Sequence, residues 1–310
     1  MARRYLVTGG AGFIGSHIVR RLVSNGQHVS VVDNLSTGRI SRLDDVRRSI
    51  DLLHGDLADE QVCEAAVQGI DCVLHQAAIP SVQRSINDPI ATNKSNVTAT
   101  LNLLECCRKA NVGRFVYAAS SSAYGNAEAL PKNESMPVNP LSPYALQKWV
   151  GEHYCKLYNT LYGLETISLR YFNVFGPAQD PHSEYSAVIP RFITALLAEK
   201  PITVYGDGDQ SRDFTYVENV VEANLFAAAA SSAAAGNVYN IGCGARVSLN
   251  ALIRSLEDYI GVKAEVINAE PKLGDVRHSL ADITRARHVL KYEPKVMFNE
   301  GLKRTVEAFR

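Results

Sequence analysis

The chain has 310 residues, of which 46% are hydrophobic and 21% charged, an ordinary composition for one large globular domain or two smaller ones. Its 32 basic residues balance its 32 acidic residues, so the net charge gives no reason to expect binding to nucleic acid or to an anionic membrane. No metal site is expected either, because the six cysteines form no C-x-x-C pair and no cysteine–histidine cluster with zinc spacing.

The start of the chain and its apolar runs bear on cellular location. The segment "MARRYLVTGG" enters a predicted strand at once, which leaves no room for a signal peptide. No apolar run approaches the roughly 18–20 residues that span a bilayer. We therefore expect a cytoplasmic protein whose cysteines remain reduced.

Strand and helix patterns alternate through the first half of the chain. Short β-branched runs predict strands at 4–8, 28–33, 71–76, 113–119 and 165–172. Apolar residues at helical spacing predict helices at 13–25, 57–69, 94–110 and around Tyr144. This alternation is typical of βαβ units, and it predicts an α/β fold: a Rossmann-type, doubly wound parallel sheet with helices on both faces.

The pattern changes beyond about Gly176, where a polar loop is followed by shorter elements. Helices are predicted at 187–200 and 217–236, and strands at 201–206 and 237–242. The last of these strands is expected to return to the main sheet. The chain is thus predicted to form a Rossmann domain at 1–175, with returning segments at about 213–245, and a smaller, interleaved C-terminal substrate domain at 176–310.

Four glycines follow the first predicted strand: Gly9, Gly10, Gly12 and Gly15. From Gly10 onward their spacing is G-x-G-x-x-G between a strand and a helix, the context in which this motif binds dinucleotides. Glycine permits the tight turn and lets a pyrophosphate approach the backbone, where the helix N-terminus supplies N–H donors. Asp33 ends the second strand 18 residues after Gly15, where an acid holds the adenosine ribose diol and repels a 2′-phosphate. The pattern therefore predicts NAD rather than NADP as the cofactor.

Residues at the ends of the next strands are further candidates for contact with the dinucleotide. Asp56 and Leu57 lie where a side chain can meet the adenine, although a solvated turn explains them nearly as well. Gln76, Ala77 and Ala78 end another strand, and the two alanines suit close approach of a ligand, or equally helix packing. Phe13, Ile14 and Asn34 are predicted cofactor contacts as well.

A tyrosine and a lysine four positions apart, Tyr144 and Lys148, begin a predicted helix and share one of its faces. A nearby ammonium, together with the cation of an oxidised nicotinamide, would lower the pKa of the phenol from its usual value of about 10. Such a tyrosine can take a proton from a sugar hydroxyl while hydride leaves the same carbon. Ser120, Ser121 and Ser122 end another strand, where a hydroxyl could relay the proton or hold the reacting oxygen; a simple turn is the alternative.

Three motifs, in this order and spacing, resemble the extended short-chain dehydrogenase/reductases: "TGGAGFIG", "SSSAYG" and "YALQK". The stretches "SVQRSINDP", "LRYFNVFGPAQDP", "GDGDQSRDFTYVEN" and "GDVRHSLADI" extend the resemblance over nearly the whole chain. They resemble nucleotide-sugar 4-epimerases of the UDP-galactose 4-epimerase group, and most of all the enzymes that interconvert UDP-N-acetylglucosamine (UDP-GlcNAc) and UDP-N-acetylgalactosamine (UDP-GalNAc). The resemblance implies tightly bound NAD and a UDP-sugar substrate whose C4 is epimerised through a 4-keto intermediate.

The resemblance also implies roles for individual residues. Tyr144 is the base, Lys148 holds the nicotinamide ribose, and Ser120 aligns with the catalytic hydroxyl, with Ser121 as a second candidate. Asn96 braces the helix region beside the cofactor, and Tyr171 lies beside the nicotinamide; with Tyr144 and Lys148 they complete the set of predicted cofactor contacts. The implied substrate contacts are Ser81, Arg84, Ser120, Ser121, Ser122, Tyr144, Asn173, Val188, Tyr205, Arg212, Lys272, Asp275 and Ser279.

Two of these positions bear on phosphate binding. Arg212 resembles the arginine that clamps the diphosphate, for which a planar fork of donors is suited; a surface pair with Asp213 is the alternative. Lys272 stands where many relatives have a second arginine, and it offers a point charge without the fork.

Ser279 bears on the choice of sugar. It stands where a bulky tyrosine closes the pocket of enzymes restricted to UDP-glucose and UDP-galactose, whereas serine leaves room for a 2-acetamido group. We therefore expect a C4 epimerase that acts on UDP-GlcNAc and UDP-GalNAc, on UDP-glucose and UDP-galactose, or on both pairs.

Two other functions stay open. A UDP-glucuronate 4-epimerase would use the same tyrosine and lysine, with Arg84 binding the carboxylate. From another class, a non-catalytic nucleotide-binding protein could use this fold, although such proteins typically lose the tyrosine or the lysine. The resemblance further implies a homodimer in which helices 94–110 and 143–161 of two subunits form a four-helix bundle.

Overall fold

The computed structural model describes residues 3–181, 187–270 and 276–310. The strands are β1 (Arg4–Thr8), β2 (His28–Asp33), β3 (Ile50–His54), β4 (Cys72–His75), β5 (Arg114–Ser120), β6 (Glu165–Tyr171), β7 (Val174–Phe175), β8 (Ile202–Tyr205), β9 (Ser211–Arg212), β10 (Thr215–Tyr216), β11 (Asn237–Ile241), β12 (Val247–Ser248) and β13 (Val266–Ala269). The helices are α1 (Phe13–Ser24), α2 (Glu60–Ala66), α3 (Val82–Asn87), α4 (Pro89–Asn93), α5 (Ala99–Lys109), α6 (Pro143–Tyr162), α7 (Val188–Leu197), α8 (Val217–Ala229), α9 (Leu249–Ile260), α10 (Thr284–Leu290) and α11 (Phe298–Phe309). Short 3₁₀ segments span Ile40–Ser49, Ser121–Tyr124 and Ser232–Ala234, and a π-helical turn spans Lys94–Thr98.

Seven parallel strands form the central sheet, in the order β11–β6–β5–β4–β1–β2–β3. The order reverses between β1 and β4, and the crevice outside the carboxyl ends of strands at such a reversal is where this class of sheet binds ligands. The predicted doubly wound α/β fold is confirmed. The strand predicted at 237–242 does return to the sheet, where it pairs with β6 as the edge strand β11.

Different helices cover the two faces of the sheet, because successive side chains of a strand point to opposite faces. On β1, Tyr5 and Val7 pack on the face covered by α1 and α8, whereas Leu6 packs on the face covered by α2, α5 and α6. The near-continuous apolar runs of these strands are typical of parallel strands that are buried on both faces. The layered core fixes the strand ends from which the cleft is built.

A third hydrophobic cluster lies in the C-terminal half, where α7, α9 and α11 pack together. Phe13 and Ile14, at the start of α1, pack against this cluster and so join it to the central sheet. Three small two-stranded sheets, β10–β7, β12–β9 and β13–β8, complete this half. The division into a domain at 1–175 and a domain at 176–310 stays a prediction.

Two predicted helices differ from the observed ones. The helix predicted at 217–236 ends at Ala229, because Ala230 is extended with φ −62 and ψ 156 and the chain must turn back into β11. Pairing with β6 therefore overrides the helix propensity of the alanine run. The helix predicted at 94–110 begins instead with the π-helical turn and continues as α5, and the short helices α3 and α4 before it were not predicted.

The helices and the cysteines add two further facts. Among the described residues, no helix is both long enough and apolar enough to cross a bilayer. All six cysteines lie in the described ranges, and all are buried and free of disulfide bonds. Burial raises the pKa of Cys63, Cys72 and Cys243 to about 12, so these thiols stay protonated.

Candidate active site

A large cleft of about 930 Å³ opens at the carboxyl ends of β1, β2, β4 and β5. This volume lies at the upper end of the range for pockets that hold a single small ligand. The cleft brings together most of the predicted site residues, from both halves of the chain. Those in its wall are Gly9, Gly12, Phe13, Ile14, Gly15, Asp33, Asn34, Asp56, Leu57, Gln76, Ala77, Ala78, Ser81, Arg84, Ser120, Ser121, Ser122, Tyr144, Lys148, Tyr171, Asn173, Arg212 and Ser279.

The glycine loop packs backbone against backbone. Gly9 has a φ of +65, and a Cβ on it would lie 2.8 Å from the backbone of Ala77. A Cβ on Gly15 would collide with the carbonyl oxygen of Gly9. Gly12 is the N-cap of α1 and no side chain caps this helix, so the N–H groups of its first turn are left for another acceptor. A pyrophosphate at this N-terminus fits these residues, as the motif predicts.

Asp33 lies in the wall of the cleft at the end of β2, where the ribose-binding acid is expected. Its two carboxylate oxygens accept hydrogen bonds from the backbone N–H groups of Ala11 (2.9 Å) and Leu35 (2.8 Å). An ionised carboxylate has about four acceptor positions, so these two bonds leave capacity for the hydroxyls of a ribose. A Cβ on Gly38 would lie 2.7 Å from Oδ1 of Asp33, and this residue therefore has to be small.

Several residues of the cleft wall were missed in the sequence because no motif marks them. The loop after β2 contributes Ser36, Thr37, Arg39 and Arg42. Arg39 also reaches the C-terminal half, where it forms an ion pair of 2.7 Å with Asp180. Gln179, next to Asp180, has a buried Oε1 with no hydrogen-bond partner among the described residues. An unfilled acceptor in the wall of a cleft fits a ligand that brings its own donor.

The helix α6 places Tyr144 and Lys148 in the cleft. Ser142 caps the helix by accepting a hydrogen bond from the N–H of Ala145 (3.2 Å), and Pro143 occupies its first turn. The backbone N–H of Tyr144 is a further unpaired group of that turn, and it donates to Oγ of Ser85 (3.0 Å). The start of α6 is therefore fixed both by its own cap and by α3.

The two side chains have shifted pKa values. Burial raises the pKa of Tyr144 above its usual value, and a hydrogen bond with Ser120 works against that rise. Burial lowers the pKa of Lys148 to about 8. The lowering of the pKa predicted for Tyr144 requires the cation of a bound oxidised nicotinamide, so it stays a prediction. The Nζ of Lys148 donates to the carbonyl oxygen of Ala118 (2.8 Å).

The serine triplet forms both a turn and part of the site. Ser120 caps the 3₁₀ segment Ser121–Tyr124 by accepting a hydrogen bond from the N–H of Ser122 (3.2 Å), so the turn interpretation is correct. The hydroxyls of Ser120 and Ser122 are also hydrogen-bonded, at 2.8 Å. Ser120 is also the member of the triplet that counters the rise in the pKa of Tyr144, which favours it as the catalytic hydroxyl.

The far end of the cleft is formed by the C-terminal half. Asn173, with a φ of +28, donates from Nδ2 to the carbonyl oxygen of Asp213 (3.1 Å) and to Oγ of Ser279 (3.0 Å). Arg212 donates from Nη1 to the carbonyl oxygen of Arg277 (3.0 Å). A side pocket of about 270 Å³ shares Asn173 and Arg212 with the cleft, and it contains the other two predicted contacts, Val188 and Tyr205.

Asp213 is completely buried, so the alternative of a surface pair with Arg212 is wrong. Its carboxylate accepts hydrogen bonds from the backbone N–H groups of Cys243 (2.8 Å), Gly244 (3.0 Å) and Ala281 (3.1 Å). Burial nevertheless raises its pKa to about 6, against the effect of these three donors. Asp213 therefore ties three segments together beneath Arg212 and Ser279.

One described residue among the predicted contacts, Asn96, does not lie in the wall of the cleft or its side pocket. Asn96 is buried behind the wall, where its amide bonds the backbone of Ile79. This geometry supports the bracing role implied for it and not direct contact with a cofactor. Lys272 and Asp275 lie outside the described residues.

The glycine loop, the acid at the end of β2 and the tyrosine–lysine pair occupy one cleft of a doubly wound sheet. Residues 5–242 match the family described as the NAD dependent epimerase/dehydratase family. The chain belongs to this family. Its cofactor is NAD, in agreement with the glycine loop and Asp33.

Relatives within the family act on UDP-sugars. UDP-glucose 4-epimerase of Mycolicibacterium smegmatis is 40% identical over 311 residues, which cover 99% of this chain and 98% of that protein. UDP-glucuronate 4-epimerase of Thermodesulfobacterium geofontis is 37% identical, with 97% and 94% covered.

Solved structures of family members are closely similar to the fold. UDP-glucose 4-epimerase of Thermotoga maritima with UDP-glucose has a TM-score of 0.95 and 38% identity, with 99% of this chain and 98% of that chain covered. UDP-N-acetylglucosamine 4-epimerase of Methanobrevibacter ruminantium M1, in complex with UDP-N-acetylmuramic acid, gives the same TM-score of 0.95, identity of 38% and coverage of 99% and 98%. The relatives thus share the fold and C4 epimerisation while their sugars differ.

Proposed function

We propose that the chain catalyses reversible C4 epimerisation of a UDP-hexose through a 4-keto sugar, with tightly bound NAD. The observation that carries the proposal is that the side chains of Tyr144, Ser120 and the buried Lys148 line the wall of one cleft, with Lys148 one helical turn from Tyr144. A base, a hydroxyl and an ammonium in this arrangement suit removal of a proton from a sugar alcohol. The epimerases that match nearly the whole chain support the same reaction.

The side chains divide the work of proton transfer. Tyr144 takes the proton of the C4 hydroxyl in one half of the reaction and returns it in the other. Ser120 holds the reacting oxygen, and Ser122 orients Ser120 through the hydrogen bond between their hydroxyls. When bound, NAD supplies the hydride acceptor and donor that C4 needs. Lys148, whose pKa of about 8 leaves it mostly protonated at pH 7, favours the phenolate of Tyr144.

The sugar is held at the end of the cleft formed by Ser279, Asn173 and Arg212. Ser279 is half-buried, and its hydroxyl accepts from the amide of Asn173, so the wall at this point is short. Such a wall supports a substrate with a 2-acetamido group, UDP-GlcNAc or UDP-GalNAc, with or without UDP-glucose and UDP-galactose. Arg84 in the opposite wall favours UDP-glucuronate as the second candidate, which agrees with the relative from Thermodesulfobacterium geofontis.

Purified protein, with no added NAD, is expected to convert UDP-GlcNAc to UDP-GalNAc. Chromatography that resolves the two C4 epimers measures the product, and Tyr144→Phe, which keeps the ring and removes the phenol oxygen, is the negative control. Turnover of UDP-glucuronate alone would favour the second candidate. NAD in the protein without turnover of any UDP-sugar would contradict the proposal and favour a non-catalytic nucleotide-binding protein.

The same assay tests the role of Ser279. In Ser279→Tyr, the added ring should fill the space for the 2-acetamido group, so kcat/KM for UDP-GlcNAc should fall by about 10²-fold or more. The value for UDP-glucose should change much less, because the 2-hydroxyl of glucose needs far less room than an acetamido group. Ser279→Ala is the matched control, since it removes the bond to Asn173 without adding bulk. Equal losses for both sugars in Ser279→Tyr would contradict the assignment.

We further propose that the chain forms a homodimer through α6 and the helices beside it. Several large apolar side chains of these helices are exposed on the single chain, which is unusual for a monomer. They are Ile90 (83% exposed), Leu161 (63%), Leu157 (49%) and Leu146 (45%). Sedimentation equilibrium is expected to give twice the chain mass of 33.9 kDa, and Leu157→Glu should shift it toward the monomer. A wild-type protein that sediments as a monomer at micromolar concentration would contradict the dimer.

A further inference from the structure

A continuous network of buried hydrogen bonds runs behind the wall of the cleft. It begins at the end of β1, where Oγ of Thr8 accepts from the N–H of Ala77 (3.1 Å) and bonds Nδ1 of His75 (2.7 Å). Nε2 of His75 bonds Oγ of Thr100 (2.9 Å), and that hydroxyl donates to the carbonyl oxygen of Asn96 (2.8 Å). All four polar side chains are at most 1% exposed. The end of β1, just before the glycine loop, is therefore linked to the π-helical turn that contains Asn96.

The donor and the acceptor of each hydrogen bond from Thr8 to Asn96 can be assigned. Thr100 uses its hydroxyl proton on Asn96, so it must accept from His75, and the proton of the imidazole lies on Nε2. Nδ1 is then an acceptor, and Thr8 donates to it. Burial lowers the pKa of His75 to about 3, so the ring stays neutral and the pattern persists at every pH at which the protein works.

From Asn96 the hydrogen bonds continue to α6, the helix that carries Tyr144 and Lys148. Oδ1 of Asn96 accepts from the N–H of Ile79 (2.8 Å), and its Nδ2 donates to Oε1 of Gln147 (2.8 Å). Nε2 of Gln147 donates in turn to Oγ of Thr92 (3.1 Å). Gln147 is buried, and it stands between Tyr144 and Lys148 on α6. Among the described residues, Gln147 is thus the side chain through which this network is hydrogen-bonded to α6, the helix that carries Tyr144 and Lys148.

We propose that Gln147 is a positioning residue, which fixes the distance between the helix carrying Tyr144 and Lys148 and the opposing wall of the cleft at 77–81. Gln147 and Asn96 together form what we call the clamp, because the amide of Asn96 is hydrogen-bonded both to Ile79 of the wall and to Gln147 of the helix. This inference rests on the proposed function, since Gln147 acts only through its two neighbours. A misplacement of about 1 Å at a reacting group can cost on the order of 10²-fold in rate, so the loss of the clamp should be measurable.

The test compares two substitutions of Gln147. Gln147→Met keeps the length of the side chain and removes both hydrogen bonds, and we expect kcat to fall by about 10–100-fold. The KM for the UDP-sugar and the NAD content should change by less than about threefold, because the residue contacts neither ligand. Gln147→Glu, when protonated, reproduces both the acceptor and the donor of the amide. Its turnover relative to wild type should therefore be high at low pH and fall as the carboxyl ionises, a pH dependence that a merely structural residue would not produce.

Asn219 supplies the matched control. Its amide is also buried, and it donates to the carbonyl oxygen of Val296 (2.7 Å) and accepts from the N–H of Lys295 (2.9 Å), away from the cleft. Asn219→Leu should lower stability as Gln147→Met does, with kcat unchanged. Unchanged kcat in Gln147→Met, or an equal loss in Asn219→Leu, would overturn the inference.

Amide hydrogen exchange separates this inference from the proposed function. Gln147→Met should speed exchange at 77–81 and at 143–150, whereas Asn219→Leu should not. If the wild-type chain turns over no UDP-sugar, the proposed function is wrong and the exchange data alone decide whether the clamp exists. Unchanged exchange in both segments would overturn the clamp whatever the activity.

Discussion

Lys148→Met is expected to stabilise the fold by about 3 kcal/mol at pH 7 while reducing kcat by about 10²–10⁴-fold. The stabilisation follows from the pKa of Lys148, which burial lowers from 10.5 to about 8. At about 1.4 kcal/mol for each pKa unit, this is the free energy that the folded chain loses by keeping a charged ammonium inside. The loss of turnover follows from removing the cation that favours the phenolate of Tyr144.

The pH dependence of the free energy of unfolding shows the direction in which the Lys148 ammonium affects stability. Between about pH 8 and 10.5 the unfolded chain keeps the proton of Lys148 and the folded chain does not. Since the unfolded state then binds more protons, the stability of the wild-type protein rises with pH across this window. Lys148→Met lacks that rise, so the two free energies of unfolding should differ most at pH 7 and converge near pH 10.5.

Denaturant unfolding at several pH values measures both quantities. Lys109→Met is the matched control, because Lys109 is exposed and forms a surface ion pair with Glu60 (3.1 Å). That substitution should change the stability by less than about 1 kcal/mol and leave turnover intact. A Lys148→Met protein that is less stable than the wild type at pH 7, or that still turns over UDP-sugars, would show that Lys148 serves the fold instead of the reaction.

Local patterns in the sequence were sufficient for the sheet and for the ends of its strands. Strand–helix alternation and the glycine spacing depend on neighbouring residues, and both predicted features are present in the structure. The end of α8 at Ala229 was missed because the alanine run has high helix propensity, and only the pairing of β11 with β6 shows where the chain must turn. Elements that form through distant contacts are thus the ones that propensity misplaces.

The same distinction applies within the site. Tyr144 and Lys148 are four positions apart, so their shared helix face follows from helical geometry. The bond between Gln147 and Asn96 joins residues 51 positions apart, and no local pattern predicts it. The burial of Tyr144 and the partner of Lys148 on β5 could not be predicted for a related reason, because both depend on packing between elements.

Glu152→Ala is expected to lower the free energy of unfolding by about 3–5 kcal/mol. Glu152 and Arg170 form a buried, bidentate ion pair, with Nε and Nη2 of Arg170 at 2.8 and 2.7 Å from the carboxylate oxygens. Their side chains are 3% and 4% exposed, so removing the carboxylate leaves a guanidinium without its partner inside the protein. Denaturant unfolding measures the loss. The double variant Glu152→Met/Arg170→Met should recover most of it, because no charge is then left buried.

The ion pair should also affect the reaction, because Glu152 lies one helical turn beyond Lys148 on α6. Burial lowers the pKa of Lys148, while the negative charge of Glu152 works in the opposite direction. In Glu152→Ala the cation of Arg170 is uncompensated, so the pKa of Lys148 should fall below about 8 and the ammonium should lose its proton at lower pH. The loss of kcat with rising pH should therefore begin at lower pH than in the wild-type protein.

The double variant is the control. Because it lacks both charges, its kcat should begin to fall at a pH closer to that of the wild-type protein. If kcat depends on pH in the same way in all three proteins, the pair supports the fold alone. If the ionisation of Lys148 causes the loss of kcat at high pH, a change in the charge near Lys148 has to shift that loss.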